Sequence, residues 1–358
     1  VNIDLLVANQ RPAGSSRWAF FFLEVSMTLP ETTGRNRHRP ALRLVQTKDL
    51  PRQDWLEIRR TGIGGSDAAA AVGLNPYKSQ TELWLEKTGR DADLPKPDPN
   101  DTTEPVYWGT LLEPIVAAAY TQQTGRRVRK VNAVLRHPKV PFMLANLDRE
   151  VVGVPDVHIL ECKTAGALGA RHWQDGVPEY VQLQVQHQLA VTGKRAADVA
   201  VLLCGQQLAV YRIERDDELI ARLIQLEAEF WRYVESDTPP PGDGSESADR
   251  ALRCLYPRDS GGTVDFSDDR QLSAAFSDLV AVREQIEALE VAAARLKQTI
   301  QSAMGEASRA LFDTGEVTFR RSKDGTSTDL ERLLADHPEL AQQYAVPKAG
   351  SRRFLIYP

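Results

Sequence analysis

The chain has 358 residues, 42% hydrophobic and 26% charged, which suits two or three globular domains with a proper core. A net charge of −5 and a pI near 5.8 exclude a global positive field, so any nucleic-acid surface must be local. The three cysteines, Cys162, Cys204 and Cys254, are far apart, which argues against a disulfide framework, a structural zinc site or an iron–sulfur cluster and fits a reducing cytoplasm. The apolar stretch at 18–25 is short and carries Glu24, so no membrane span is expected.

Residues 1–45 are expected to be a flexible extension, with translation starting near Met27 and a Thr/Arg/Asn/Pro-rich lead-in after it. A globular domain is expected over 46–237. Its glycine-rich segment Gly62–Ser66 lacks the lysine and spacing of a P-loop, but its amides at a helix start suit a phosphate. The plainer reading is an N-cap by Ser66. A helix is predicted over 111–124 with Pro114 in an early turn, followed by a strand over 128–135. The basic run Arg126-Arg-Val-Arg-Lys130 alternates between the faces of a strand, either as a backbone contact for nucleic acid or as a charged strand edge. Short strands follow at 143–147, 151–154 and 157–162. A helix at 181–191 stops at Gly193, a hairpin turns at Gly205-Gln206, and an amphipathic helix covers 214–234.

The Pro/Gly/Ser cluster after Asp237 reads as a linker over 238–266. A C-terminal accessory unit, 267–358, should open with Ser267 as N-cap. Its Leu279, Val282, Ile286, Leu289, Ala293, Leu296, Ile300 and Ala303 form a heptad seam, packed on its own unit or on another helix. Strand-like pieces at 317–320 and 353–357 flank a polar helix near 329–339. The fold class is therefore α+β: a core sheet flanked by helices, plus a C-terminal helical unit with short strands.

The chemistry-bearing pattern is Asp148, twelve residues, then Glu161-Cys162-Lys163. On a strand, positions i and i+2 share a face, so Glu161 and Lys163 point together while Cys162 points into the core. A hairpin between 148 and 161 brings Asp148 beside Glu161. Two converging carboxylates make a hard oxygen site suited to Mg²⁺ or Mn²⁺, and a lysine beside them can serve an attacking water or a developing charge. Such a spacing occurs widely as an ordinary salt bridge, so its context decides. His158, His172 and His187 share no ligand spacing and read as structural. On the Gln-rich helix, only the face bearing Gln184 and Gln188 can reach the site.

That context is a set of motifs in order. Arg59-Arg-Thr-Gly-Ile-Gly-Gly-Ser-Asp-Ala, followed by Val72-Gly-Leu-Asn-Pro-Tyr, resembles the opening of the YqaJ-type viral recombinases. These are phage nucleases related to lambda exonuclease, within the PD-(D/E)XK superfamily. Trp108-Gly-Thr-Leu-Leu-Glu-Pro resembles the family's G-x₃-E helix, and Asp148 with Glu161-Cys-Lys163-Thr its catalytic core. The stretch from Pro178 to Gly193 resembles its Gln-rich helix. The resemblance implies a restriction-endonuclease-like core and a double-strand DNA exonuclease resecting 5′ ends in recombination. Glu113, Asp148 and Glu161 would hold the metals with the backbone carbonyl of Cys162. Lys163 would serve the water, Gln184 would fix that lysine or the scissile phosphate, and Arg59 and Ser66 would bind phosphate. Linear duplex DNA is the expected substrate, and a single-strand annealing protein or further copies of the chain are the expected partners. An endonuclease with the same core and a non-catalytic DNA-binding factor are the competing readings. One departure stands out: the family writes Pro-Asp-Gly where this chain has Leu147-Asp148-Arg149. The nearby Pro155-Asp156 leaves too little chain for the hairpin, so Asp148 is taken as the acid.

Overall fold

The computed structural model describes residues 41–347 and 350–357. The expectations for residues 1–40 lie outside the described residues. The final residues of the supposed flexible extension are in fact structured: β1 (Leu42–Gln46) pairs with β3 (Ala133–Arg136) in a small three-stranded sheet completed by β4 (Leu144–Ala145).

The main sheet has five strands in the order β2 (Arg127–Lys130), β5 (Arg149–Val152), β6 (Ile159–Ala165), β7 (Ala196–Leu203) and β8 (Gln207–Glu214). All neighbours are antiparallel except β6 and β7, which run parallel and are joined by helix α5 (Glu179–Thr192), as a parallel pair requires a crossover. The period of two sorts each strand between faces. Ile159, Ala197, Val199 and Val201 meet Val181, Val185 and Leu189 of α5 on one side. Leu160, Ala196 and Ala200 meet Val116, Ala117 and Tyr120 of α4 (Pro105–Thr124) on the other. The sheet is thus sandwiched between helices, as expected for the α+β class.

A third cluster forms beside the sheet. There α1 (Arg52–Arg60) and a 3-10 turn (Gly65–Asp67) lead into α2 (Ala68–Ala71) and α3 (Gln80–Lys87), with α6 (Asp217–Glu235) closing the group through Phe230. Gly62 is required here, because a Cβ would stand 2.4 Å from the carbonyl oxygen of Phe142.

Several expectations are corrected. The strand expected over 128–135 is two strands, because the chain leaves the main sheet after Lys130 and enters the small sheet at Ala133. Pro114 lies mid-helix and not in an early turn. The helix starts at Pro105, whose missing N–H needs no partner there, whereas Pro114 removes an internal hydrogen bond. The run 238–266 is not a plain linker, since it contains α7 (Glu246–Leu255), docked on α3. Ser247 Oγ accepts from Ser79 N at 2.8 Å and donates to Glu82 Oε2 at 2.6 Å, and Ala248 and Ala251 are buried.

The long helix α8 (Arg270–Met304) is capped by Asp269, whose Oδ1 accepts from Gln271 N and Leu272 N; Ser267 instead bonds Asp265 in the preceding turn. Its heptad seam is not covered by this chain's described residues, with Ile286 50% and Leu289 68% exposed. The reading of a helix packed on its own unit is therefore set aside. A hairpin of β9 (Arg309–Phe312) and β10 (Gly315–Thr318) follows, then α9 (Leu330–Asp336) and α10 (Pro338–Gln343). No strand forms over 353–357. Among the described residues no helix is long and apolar enough to cross a membrane.

Candidate active site

The β5–β6 hairpin pairs Arg149 with Leu160, so Asp148, one residue earlier, falls opposite Glu161. The Asp148 carboxylate is tied down by the Cys162 amide, which donates to Oδ2 at 2.8 Å. Glu161 is buried on a central strand and is surrounded by donors. Gln184 Nε2 reaches Oε1 at 2.5 Å, Gln188 Nε2 reaches Oε2 at 2.8 Å, and Lys163 Nζ lies 2.8 Å from Oε1. Lys163 also donates to Gln184 Oε1 at 2.9 Å. The expected pairing of Glu161 and Lys163 on one face is therefore present. Cys162 packs on the α4 side with Leu160, as the alternation requires.

Glu113 projects from α4 toward the same place and is bound by Arg149, whose Nη1 also donates to the main-chain oxygen of Asp148 at 2.7 Å. A cavity of about 370 Å³ is lined by Glu113, Asp148, Glu161, Cys162, Lys163 and Gln184, and also by Arg59, Ser66 and Trp55. Every site residue expected from the sequence thus meets one cavity. Among the described residues, no three His, Cys, Asp or Glu side chains already stand as a ligand set, since each carboxylate is held by its own partner.

On the opposite wall, Arg59 Nη2 donates to Ser66 Oγ at 2.9 Å and to Asp67 Oδ1 at 2.7 Å, with its guanidinium over the Trp55 ring. Asp67 also accepts from Lys87 Nζ at 2.7 Å and from Gly64 N at 3.1 Å. The turn is therefore closed by Asp67, while the expected cap, Ser66, accepts from Arg59. Gly65 packs directly on α5, where a Cβ would lie 3.1 Å from Gln188 Cγ.

The electrostatics follow from burial and charge. Burial, together with the Glu161 charge beside it, pushes the Asp148 carboxyl up to about 8. For Lys163, burial disfavours the ammonium, but the Glu161 and Asp148 carboxylates outweigh it and the net shift is upward. Burial likewise opposes the Asp67 charge, yet Arg59 and Lys87 hold it well below the usual carboxylate range. For Lys87, burial prevails over the Asp67 charge and holds the ammonium below its ordinary value.

Other candidates fall outside this cavity. Asp156 is exposed, pairs with Arg212 at 2.8 Å and does not line the cavity. β2 is the sheet's edge strand, where Arg129 pairs with Glu150, so the charged-edge reading of 126–130 fits its place. His187 is a core residue, with Nδ1 2.7 Å from Glu227 Oε1 and Nε2 2.8 Å from the Leu144 oxygen. Sequence reasoning missed Arg149, Asp67 and Lys87. Arg149 was visible only as a departure from the family pattern, Asp67 only as a neighbour of Ser66, and Lys87 sits on another helix with no motif to mark it.

The site thus sets Asp148, one residue ahead of β5, opposite Glu161 and Lys163 of β6, in a sheet with helices on both faces. Residues 54–195 match the YqaJ-like viral recombinase domain. Over 318 residues the chain is 39% identical to the protein YqaJ of Bacillus subtilis (strain 168), covering 87% of this chain and 96% of that protein. The chain belongs to the YqaJ-like viral recombinase family. A shorter stretch of 69 residues is 46% identical to a protein of African swine fever virus, 18% of each chain. Among solved structures, the alkaline exonuclease LHK-Exo from Laribacter hongkongensis is similar over 52% of this chain and 93% of its own. The identity is 24% and the TM-score 0.42.

Proposed function

We propose that this protein is a divalent-metal-dependent DNA nuclease, and specifically an exonuclease that resects 5′ ends of linear duplex DNA during recombination. The observation that carries the reading is the convergence of Glu113, Asp148, Glu161 and Lys163 on one cavity whose other wall is Arg59 and Ser66. The donor set suits Mg²⁺ or Mn²⁺: hard carboxylate oxygens, with burial and then the neighbouring Glu161 charge pushing the Asp148 carboxyl up in the absence of a cation. Gln188 Oε1 is in addition buried beside them with no hydrogen-bond partner among the described residues. Asp148, Glu161, Glu113 and the Cys162 carbonyl would hold the ion. When bound, it would supply positive charge to the phosphoryl oxygens and lower the pKa of a water.

The chain's own groups do the rest. Arg59 and Ser66 bind a DNA phosphate, with Asp67 orienting the guanidinium. Lys163, fixed by Gln184 and Glu161, orients the attacking water and stabilises the charge developing on the phosphate. The bare seam of α8 is the surface through which an annealing protein or further copies of the chain attach. Incubating the purified protein with linear and covalently closed duplex DNA, with Mg²⁺ or EDTA, tests the reading. Mg²⁺-dependent loss of the linear form alone is expected. Cutting of the closed form would make it an endonuclease, and inertness toward both would refute a nuclease.

A further inference from the structure

Arg149 sits on β5 directly after Asp148, with its side chain only 10% exposed. By strand alternation it shares a face with Val151, against α4, the helix that carries Glu113. Its guanidinium holds Glu113 Oε1 and the main-chain oxygen of Asp148.

Glu113, Asp148 and Glu161 line the cavity together with Lys163, while Arg149 stands outside the lining and reaches it through Glu113. Lys163 stands against Glu161 and Gln184, and Arg149 stands against Glu113. The contact with the Asp148 main-chain oxygen gives the guanidinium a second anchor that does not depend on Glu113. A glycine at this position, as in the family's usual Pro-Asp-Gly, has no such cation.

We infer that Arg149 is a positioning residue, a built-in counter-cation that braces Glu113 and sets how tightly the carboxylate cluster takes a divalent metal ion. The inference rests on the metal-dependent reading of the site. A permanent positive charge a few ångströms from an incoming divalent ion repels it, and it competes for the same carboxylate. Removing it should tighten metal binding and loosen Glu113 at once. A strut that only supports the fold would change stability and leave cation affinity alone.

The test measures Mn²⁺ binding without DNA, by electron paramagnetic resonance of the free ion, on the full chain and on Arg149→Met and Arg149→Lys. Thermal unfolding of each variant is recorded in parallel. Arg149→Met should bind Mn²⁺ roughly tenfold more tightly, about the least that one unit charge a few ångströms from a divalent ion would change. Arg149→Lys, which keeps the charge, should restore an affinity close to that of the parent. At saturating Mn²⁺, Arg149→Met should cleave linear DNA more slowly, because Glu113 has lost its brace. Arg149→Gln, which keeps a donor for the Asp148 oxygen, serves the same test if the methionine variant does not fold. Equal or weaker Mn²⁺ binding by the uncharged variants overturns the inference while the metal reading stands. A parent protein that binds no Mn²⁺ overturns both.

Discussion

Replacing Asp67 with asparagine should be among the most costly single changes near the site. Its carboxylate accepts from Arg59, Lys87 and Gly64, and the Lys87 side chain is only 3% exposed. Asparagine keeps one acceptor but removes the charge, leaving two cations facing each other beneath the cavity. Breaking a buried pair in this way costs about 3–5 kcal/mol. The lower end is expected here, because Arg59 retains 26% exposure and can turn toward solvent. Lys87→Met is the contrasting change. It leaves the Arg59–Asp67 pair intact and loses hydrogen bonds to Asp67 and to the Arg59 carbonyl, for about 1–2 kcal/mol.

The double variant should then be more stable than the sum of the two losses implies, by at least about 1 kcal/mol, since removing Lys87 relieves the repulsion created by asparagine. Urea unfolding of the four proteins at pH 7.5 gives the cycle. The pH dependence adds a sign. The native Asp67 pKa is depressed, so its contribution is fully present above the ordinary carboxylate value of about 4 and fades as the pH falls below it. The gap between parent and Asp67→Asn should therefore narrow only in strong acid. An Asp67→Asn protein that loses less stability than Lys87→Met, or strict additivity in the cycle, would refute this account of the wall.

Lys163→Ala should cut the rate of DNA cleavage by about 10²–10³-fold while metal and DNA binding persist, as read by single-turnover kinetics and a filter-binding assay. Ca²⁺ should support DNA binding without cleavage, and EDTA should stop cleavage; turnover in EDTA would count against any metal mechanism. His187 should make stability fall at alkaline pH. Burial works against its charge, but Glu227 outweighs it and raises the native pKa, so the contribution is whole below about 6.5 and is lost as pH rises through the native value. Unfolding free energies measured from pH 6 to 9 should show that slope, and Glu227→Gln should flatten it. A chain ending at residue 266 should fold and retain nuclease activity. One ending at 237 should unfold more readily, because Ser79 N and Glu82 lose Ser247 and α3 loses its cover. Light scattering should show higher-order assembly only when α8 is present.

The local and periodic features were legible in the chain itself. Short apolar runs and the turn at Gly205-Gln206 marked β6 and the β7–β8 hairpin, a glycine stop ended α5, and the Asp148…Glu161-x-Lys163 spacing predicted that a hairpin would set the acids side by side. Gln184 and Gln188 followed from helical geometry in the same way, because residues four apart must share a face. What depended on three dimensions was how distant segments close the site. The uninterrupted pattern over 128–135 concealed a change of sheet, because pairing partners, and not propensity, divide β2 from β3. The Pro/Gly/Ser run after Asp237 concealed α7, which is short and polar and is held by buried hydrogen bonds to α3, 168 residues earlier in the chain. Lys87 and Arg149 carry no motif; each matters because tertiary packing seats a cation beside a buried carboxylate, and the cost of leaving that charge unpaired exists only once water has been excluded.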